Sequence, residues 1–562
     1  MSHPPVRRTP EGRSVTSGLT RRAMFGHGAG LATIGLLGSI ASPQAVAAPP
    51  RRVAIPPRSE DVVYASDFGY DPTDSTATLQ AALDADASTV VIDDPGGTWL
   101  TGPLYVNRDG VSIIVAPGVV VRALPGGYPE QRMCLLNIIG RTGVSVIGYG
   151  ATMIMNKAEY GHDGQWRHVI NIMSGRSVLI EGLRLAESGG DGIYVGKSQV
   201  PGDPHHSADI VVRNVTCDAN YRQGMSIVGV AGLLAEGCRF SNTLGHNPQA
   251  GVDIEPNDAD QPLTGIVLRD CVLEGNQSYQ MVVSLTRYDA TSPALDILLD
   301  RCRLGGADGQ ERDLPVFLYN GSASGTLSGR VEIRDSLLQA GPYAGCWGSW
   351  NQDGVDLVLT RTVCQSWEQP ASGYPALSIR AFDPVPYVGG VRFTGVGVYR
   401  NVAEPALTFI TRGAVSPDLG VHDVHGSLTV VNPEGAVVDL GPDATDITLT
   451  IHERTQVPDT VVGISAAVEA LLARQPIRLT VERQSSDLSA PLAVRYRVAG
   501  QAVERQDVYG TPGVVVIPAG ESSATVRVRT LPTAAGASVT FTLEPDLGYT
   551  VGPEGEATVT IS

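Results

Sequence analysis

Short bursts of alternation run along most of the chain. Val144 and Val146, Val178 and Ile180, Ile210 and Val212, Leu233 and Ala235, Ile266 and Leu268, Ile297 and Leu299, Val331 and Ile333, Leu357 and Leu359, and Val391 and Phe393 are apolar pairs separated by one residue. From the second pair onward, each is followed two residues later by Gly182, Asn214, Gly237, Asp270, Arg301, Asp335, Arg361 or Gly395 in turn. A period of two marks a strand with one buried face. The bursts return every 23 to 34 residues or so, at about the repeat length of solenoids and parallel β-helices. Leucine-rich repeats share that range, but their leucine/asparagine consensus is absent.

Between residues 189 and 256 another pattern returns three times in one register: Gly190-Asp191-Gly192-Ile193-Tyr194-Val195, Arg222-Gln223-Gly224-Met225-Ser226-Ile227 and Ala250-Gly251-Val252-Asp253-Ile254-Glu255. If the copies stack, Tyr194, Ser226 and Asp253 form one outward column, and Gly196, Val228 and Glu255 form the next. An exposed strip around Asp191, Arg222, Asp253 and Glu255 is the expected seat of chemistry.

The coils fade beyond Tyr399, although Leu428-Thr429-Val430 and Ile447-Thr448-Leu449 still alternate, and the stack is expected to end near residue 455. Ile464 to Arg474 reads as a short helix acting as cap or linker. From Pro476 onward, alternating strands between Gly/Pro turns predict a small β-sandwich. At the other end, Leu79-Gln80-Ala81-Ala82-Leu83 reads as a short amphipathic helix with an Asp or Ser as its N-cap, covering the open end of the stack.

Composition supports an all-β chain. Among 562 residues there are 65 glycines, and only 18% are charged. The net charge of −17 argues against nucleic acid and anionic membranes as partners, since both need a basic face. Seven cysteines cannot all pair internally, and Cys238, Cys271 and Cys302 share one place in successive repeats, which predicts a buried thiol ladder. Arg21-Arg22 precedes an apolar stretch from Ala29 to Ile40, and Ala45-Val46-Ala47 offers a cleavage site. This resembles a twin-arginine export signal and implies a secreted, extracellular protein. The apolar run is too short to span a bilayer.

Two segments resemble known families. Ala65 to Thr76, leading into Leu79-Gln80-Ala81-Ala82, resembles the opening segment of the pectate lyase and polygalacturonase superfamily, which implies a right-handed parallel β-helix. Ile517-Pro518-Ala519-Gly520 to Val526, closing on Tyr549 to Ile561, resembles a Calx-β domain. In the place of that family's calcium-binding acidic stretch stands Thr530 to Gly536. The expected organisation is a signal peptide over 1–47, a linker over 48–59, a β-helix catalytic domain over 60–455, a linker over 456–475 and a Calx-β-like sandwich over 476–562.

Gly190-Asp191-Gly192-Ile193 resembles the N-T-D-G-I motif of polygalacturonase-type glycoside hydrolases, which implies a general acid at Asp191. That family's later Asp-Asp and Gly-His-Gly are replaced here by Arg222-Gln223 and Asp253-Ile254-Glu255, so its catalytic set does not carry over. Two strand spacings separate Asp191 and Asp253 by roughly 9 to 10 Å, compatible with the ~6.5–9.5 Å of inverting glycosidases. Asp191, Asp253 and Glu255 are the expected catalytic residues. Arg222, Gln223, Tyr194, Lys197, His246 and Trp166 are the expected substrate contacts, and Tyr160, His162 and His168 add aromatic and imidazole groups one rung earlier.

The leading expectation is hydrolysis of glycosidic bonds in a polysaccharide or oligosaccharide, with no cofactor. One alternative is a lyase acting on a uronate polymer, with Arg222 or Lys197 as base and calcium held by Asp253, Glu255, Asp258 and Asp260. Another is a non-catalytic glycan-binding adhesin. The sequence sets no oligomeric state.

Overall fold

The computed structural model describes residues 55–161, 165–305, 314–320, 326–339, 346–350, 354–366, 376–381, 387–400, 407–411, 420–432, 438–439, 444–455, 459–504 and 507–562. The export signal, its cleavage site and His162 lie outside the described residues.

The residue that follows each apolar pair explains the coil. Gly182, Asn214, Gly237, Asp270, Arg301, Asp335, Arg361 and Gly395 all have positive φ, between 44° and 76°. One left-handed residue turns the chain sharply from one face of the coil to the next. Gly, Asn and Asp adopt this conformation at least cost. Arg301 and Arg361 are poor candidates for it, but each makes two hydrogen bonds to an aspartate one coil earlier. Arg301 grips Asp270 at 2.8 and 3.1 Å, and Arg361 grips Asp335 at 2.6 and 2.7 Å.

Stacked coils form a right-handed parallel β-helix. One face is a twelve-stranded sheet whose order follows the chain from Leu104–Tyr105 to Val438–Asp439. The other two faces run side by side until Tyr387–Arg400, a strand long enough to pair with Asp356–Thr360 on one face and Val363–Ser366 on the other. From there the two faces are continuous through Gly420–Val431 to Ala444–Arg454, which is why the short bursts fade in the sequence beyond Tyr399. The helix Thr76–Asp84 buries Leu79, Ala82 and Leu83 against the first coil. It starts with Asp74 accepting the Thr76 N–H at 2.9 Å, while the Ser75 hydroxyl turns back to the Asp71 carbonyl.

Inward positions stack in columns. Ile180, Val212, Ala235, Leu268, Leu299, Ile333, Leu359 and Phe393 succeed one another in register, none more than 2% exposed. Truncating one of the large members to Ala would cost about 2–5 kcal/mol. All seven cysteines are free and buried. Cys238, Cys271 and Cys302 each donate to a carbonyl one coil earlier, those of Val212, Ala235 and Leu268, at 3.4 Å.

Just before the corner residue, charge alternates along the axis: Glu181, Arg213, Glu236, Arg269, Asp300 and Arg334 are successive register partners. Arg213 bridges Glu181 at 3.3 Å and Glu236 at 3.2 Å, and Asp300 receives Arg269 at 3.1 Å and Arg334 at 3.2 Å.

The last residues form two five-stranded sheets around a core that includes Val462, Leu479, Val494, Tyr496, Phe541 and Val559. Thr460–Ala466 is a strand paired antiparallel with Ile477–Ser485, so the helix expected at Ile464 to Arg474 does not form and the first strand starts inside the expected linker. Its alternating buried and exposed residues bury Val462 and Ile464. The sandwich also shares two apolar seams with the coils. Ala490, Ala493, Val514 and Val516 pack on Leu337, Val363, Tyr399 and Val431, while Tyr509 and Leu531 pack on Ile147 and Tyr149. Gly237 makes the second seam close, because a Cβ there would lie 3.3 Å from the Tyr509 ring and 3.4 Å from Gly510 N.

Candidate functional site

Four neighbouring strands of the twelve-stranded sheet build the site: Asp191–Gly196, Gln223–Ile227, Ala250–Ile254 and Tyr279–Ser284. Tyr194, Ser226, Asp253 and Val282 are register partners, as the alternation implies. Asp191 belongs to a different column, since its partners are Gln223 and Ala250. The reason is the recurring glycine. A Cβ on Gly192 would lie 2.7 Å from the Gly224 carbonyl, 2.8 Å from Cys217 Sγ and 2.9 Å from Asn220 Nδ2, and a Cβ on Gly224 would lie 2.5 Å from the Gly251 carbonyl. Each glycine therefore faces inward next to an inward Ile193, Met225 or Val252. This breaks the alternation and gives Asp191 its own place at the strand entrance.

Asp191 is fully buried, and its oxygens meet a residue the sequence placed only in the background. His168 Nδ1 lies 3.0 Å from the Asp191 N–H and 3.2 Å from Asp191 Oδ2. A ring bare at Nδ1 accepts from the N–H, whereas a ring protonated there donates to the carboxylate. The imidazole stacks on Tyr194, with centroids 4.9 Å apart at 17°, and its backbone N–H donates to Cys134 Sγ. Burial pushes the Tyr194 hydroxyl up to about 12, and Asp191 adds to that shift.

Asp253 sits at the middle of the group. It is 3% exposed and accepts the Gln223 Nε2–H at 2.8 Å. Burial and the negative Glu255 push its carboxyl up to about 7, against the pull of Arg222 and the Gln223 hydrogen bond. Glu255, two residues on and half-buried, accepts the Ser284 hydroxyl at 3.4 Å. Asp253 Oδ1, Gln223 Oε1, Ser226 Oγ and Arg222 Nε are buried with no hydrogen-bond partner among the described residues. Buried polar atoms are normally satisfied, so such a concentration marks a place built to meet something else.

The structure thus brings Asp191, Tyr194, Arg222, Gln223, Asp253 and Glu255 together and adds His168. Lys197 lies at the rim, in an ion pair with Asp258. His246 stacks on Tyr221, centroids 6.4 Å apart, in the loop leading to Ala250. Trp166 is half-buried with the Arg132 guanidinium 5.8 Å from its ring centroid. The acidic quartet considered for calcium does not converge: Asp258 is held by Lys197, and Asp260 faces His205 at 3.9 Å. Among the described residues, the acid and imidazole groups that do converge are Asp423, His425 and Asp446, within 4.8 Å of one another, and Asp423 there already binds Arg392.

No family model matches the sequence. A curated relative, the SPbeta prophage-derived uncharacterized protein YorA of Bacillus subtilis (strain 168), is 25% identical over 161 residues, 26% of either chain, so the match spans about a quarter of that relative's length. Solved structures with partial likeness include the Azotobacter vinelandii mannuronan C-5 epimerase AlgE6 A-module, at TM-score 0.49 and 15% identity over 69% of this chain and 98% of that one. The tailspike protein gp49 of Acinetobacter baumannii bacteriophage Fri1, a capsular polysaccharide depolymerase, gives TM-score 0.36 and 13% identity over 84% and 87%. Pectate lyase Pel9A gives TM-score 0.32 and 15% identity over 60% and 69%. Among the described residues, no helix is long and apolar enough to cross a membrane.

Proposed function

We propose that the chain is a secreted enzyme that cleaves glycosidic bonds of a polysaccharide or oligosaccharide, with Asp253 as proton donor and Glu255 as general base. The observation that carries this reading is the Asp253 carboxyl, raised to about 7 and with Oδ1 unpartnered among the described residues, beside other orphaned donors and acceptors. A general acid works best with a pKa near the operating pH. Glu255 lies two residues along an extended strand, about 6.5–7 Å away at Cα. Side-chain rotation brings the two carboxyls into the ~6.5–9.5 Å range in which a water fits between acid and base. Glu255 then takes a proton from that water as Asp253 gives its own to the leaving oxygen. Buried Asp191 acts through His168 and Tyr194 as a positioning residue rather than as the acid.

A second reading is β-elimination on a uronate polymer, favoured by Arg222, whose Nε has no partner among the described residues, and by Arg132, both close enough to Tyr194 to act on its hydroxyl. Arginines pair geometrically with carboxylates, but a guanidinium stays protonated and serves as clamp rather than base. Lys197 is occupied by Asp258. Digestion of a panel of neutral and uronate glycans tests both: new reducing ends without ultraviolet absorbance support hydrolysis, and an unsaturated, absorbing product replaces it with elimination. Cleavage of none would leave the adhesin alternative.

A further inference from the structure

The outward face of the sheet continues past Asp253 and changes character. Asp253, Val282 and Phe317 are successive register partners, Tyr279 follows Ala250 in one flanking column, and Tyr319 follows Ser284 in the other. The inward positions of these strands are already filled by Met281, Val283, Val316 and Leu318, all buried. Tyr279, Phe317 and Tyr319 therefore lie on the outward face, and each is only half-buried. Tyr279 and Phe317 lie 5.1 Å apart at 31°, and Phe317 and Tyr319 lie 6.5 Å apart at 3°. Neither tyrosine hydroxyl is hydrogen-bonded among the described residues.

We propose that Tyr279, Phe317 and Tyr319 form a carbohydrate-stacking subsite, and that a bound glycan runs along the helix axis from Asp253 onto this platform. The inference rests on the reading of Asp253 as the acid. Phe317 lies two strand spacings from Asp253, about 9–10 Å, or roughly two sugar units along an extended chain. The C–H faces of pyranose rings are apolar and lie flat, so they match near-parallel aromatic faces, while the phenol groups meet sugar hydroxyls. The subsite makes the enzyme prefer chains that reach past the cleaved bond, with affinity growing until the platform is covered.

Affinity electrophoresis of the full chain in gels carrying alginate, polygalacturonate or xylan tests this without turnover. At least one glycan should retard the wild type, and Asp253→Asn should be retarded equally. Tyr279→Ala and Phe317→Ala should each weaken retardation about tenfold, the order of one good aromatic contact, while Tyr279→Phe keeps most of it. Tyr319→Ala, at the edge of the platform, gives the same readout should Phe317→Ala not fold. Equal retardation of ring-less and wild-type chains, or none of the wild type by any of the three glycans, overturns the subsite. Ring-dependent retardation without cleavage leaves the subsite standing and removes the proposed activity.

Discussion

Arg529 Nη1 lies 2.8 Å from Glu236 Oε2, across 293 positions of sequence. Glu236 is 1% exposed and also holds Arg213. Its charge is therefore shared between a neighbouring coil and the sandwich. Arg529→Ala leaves that buried carboxylate with one cation fewer and should lower stability by about 1.5–3 kcal/mol, read as a lower urea midpoint. Arg529→Lys should recover part of the loss. An unchanged midpoint in the Ala variant would show that this contact contributes nothing.

The two apolar seams make the sandwich more than an appendage. Ending the chain after residue 455 would uncover Leu337, Val363, Tyr399 and Val431, together with Ile147 and Tyr149. Contiguous apolar surface of this kind drives association. The truncated chain should bind a hydrophobic dye and aggregate on concentration, as light scattering would report. A monomer that melts with the coils of the full chain would refute this.

Activity should have an alkaline limb set by Asp253. With its carboxyl at about 7, Asp253 holds its proton below that value and loses it above. Turnover should therefore fall about tenfold per pH unit on the alkaline side of the limb. Asp253→Asn should lower turnover roughly a hundredfold to ten-thousandfold and abolish the limb. A limb that persists in the Asn variant assigns the proton to another group.

Stability should show the same group with a defined sign. In the unfolded chain this carboxyl titrates near ~3.9, so between that value and about 7 the folded state binds a proton that the unfolded state releases. Its contribution is fully present below ~3.9 and is lost as pH rises through the folded value. Asp253→Asn should accordingly raise the thermal midpoint at pH 8 and change it little at pH 4. Equal shifts at both values would sink the assignment.

His168 and Asp191 should act on rate rather than binding. His168→Ala and Asp191→Asn disturb a ring that stacks on Tyr194 without removing surface a substrate would touch. The expected result is a fall in kcat with KM nearly constant. A raised KM at unchanged kcat would place His168 in direct contact with substrate.

The coil was readable because its corners are chemically marked. Gly182, Asn214, Gly237 and Asp270 advertise a left-handed residue, whereas Arg301 and Arg361 take that conformation with help from Asp270 and Asp335, one coil away. The column Tyr194, Ser226, Asp253 followed from period two alone. Asp191 did not, because Gly192 and Ile193 both face inward and shift everything before them by one. Its partner His168 lies 23 residues back, within the preceding coil. The sequence alone places Thr460–Ala466 in a helix or linker, because the strand's partner lies further on in the chain. The docking of Tyr509 and Arg529 has no local signature, since it joins residues hundreds of positions apart.

The alternating charges from Glu181 to Arg334 have a parity. Deleting the coil that carries Arg213 would set Glu181 directly on Glu236, two buried carboxylates about 5 Å apart at the backbone, and inserting one coil with a charged residue at this position would also create a like-charge contact. Over this stretch the molecule can lengthen or shorten only by even numbers of coils without facing like charges.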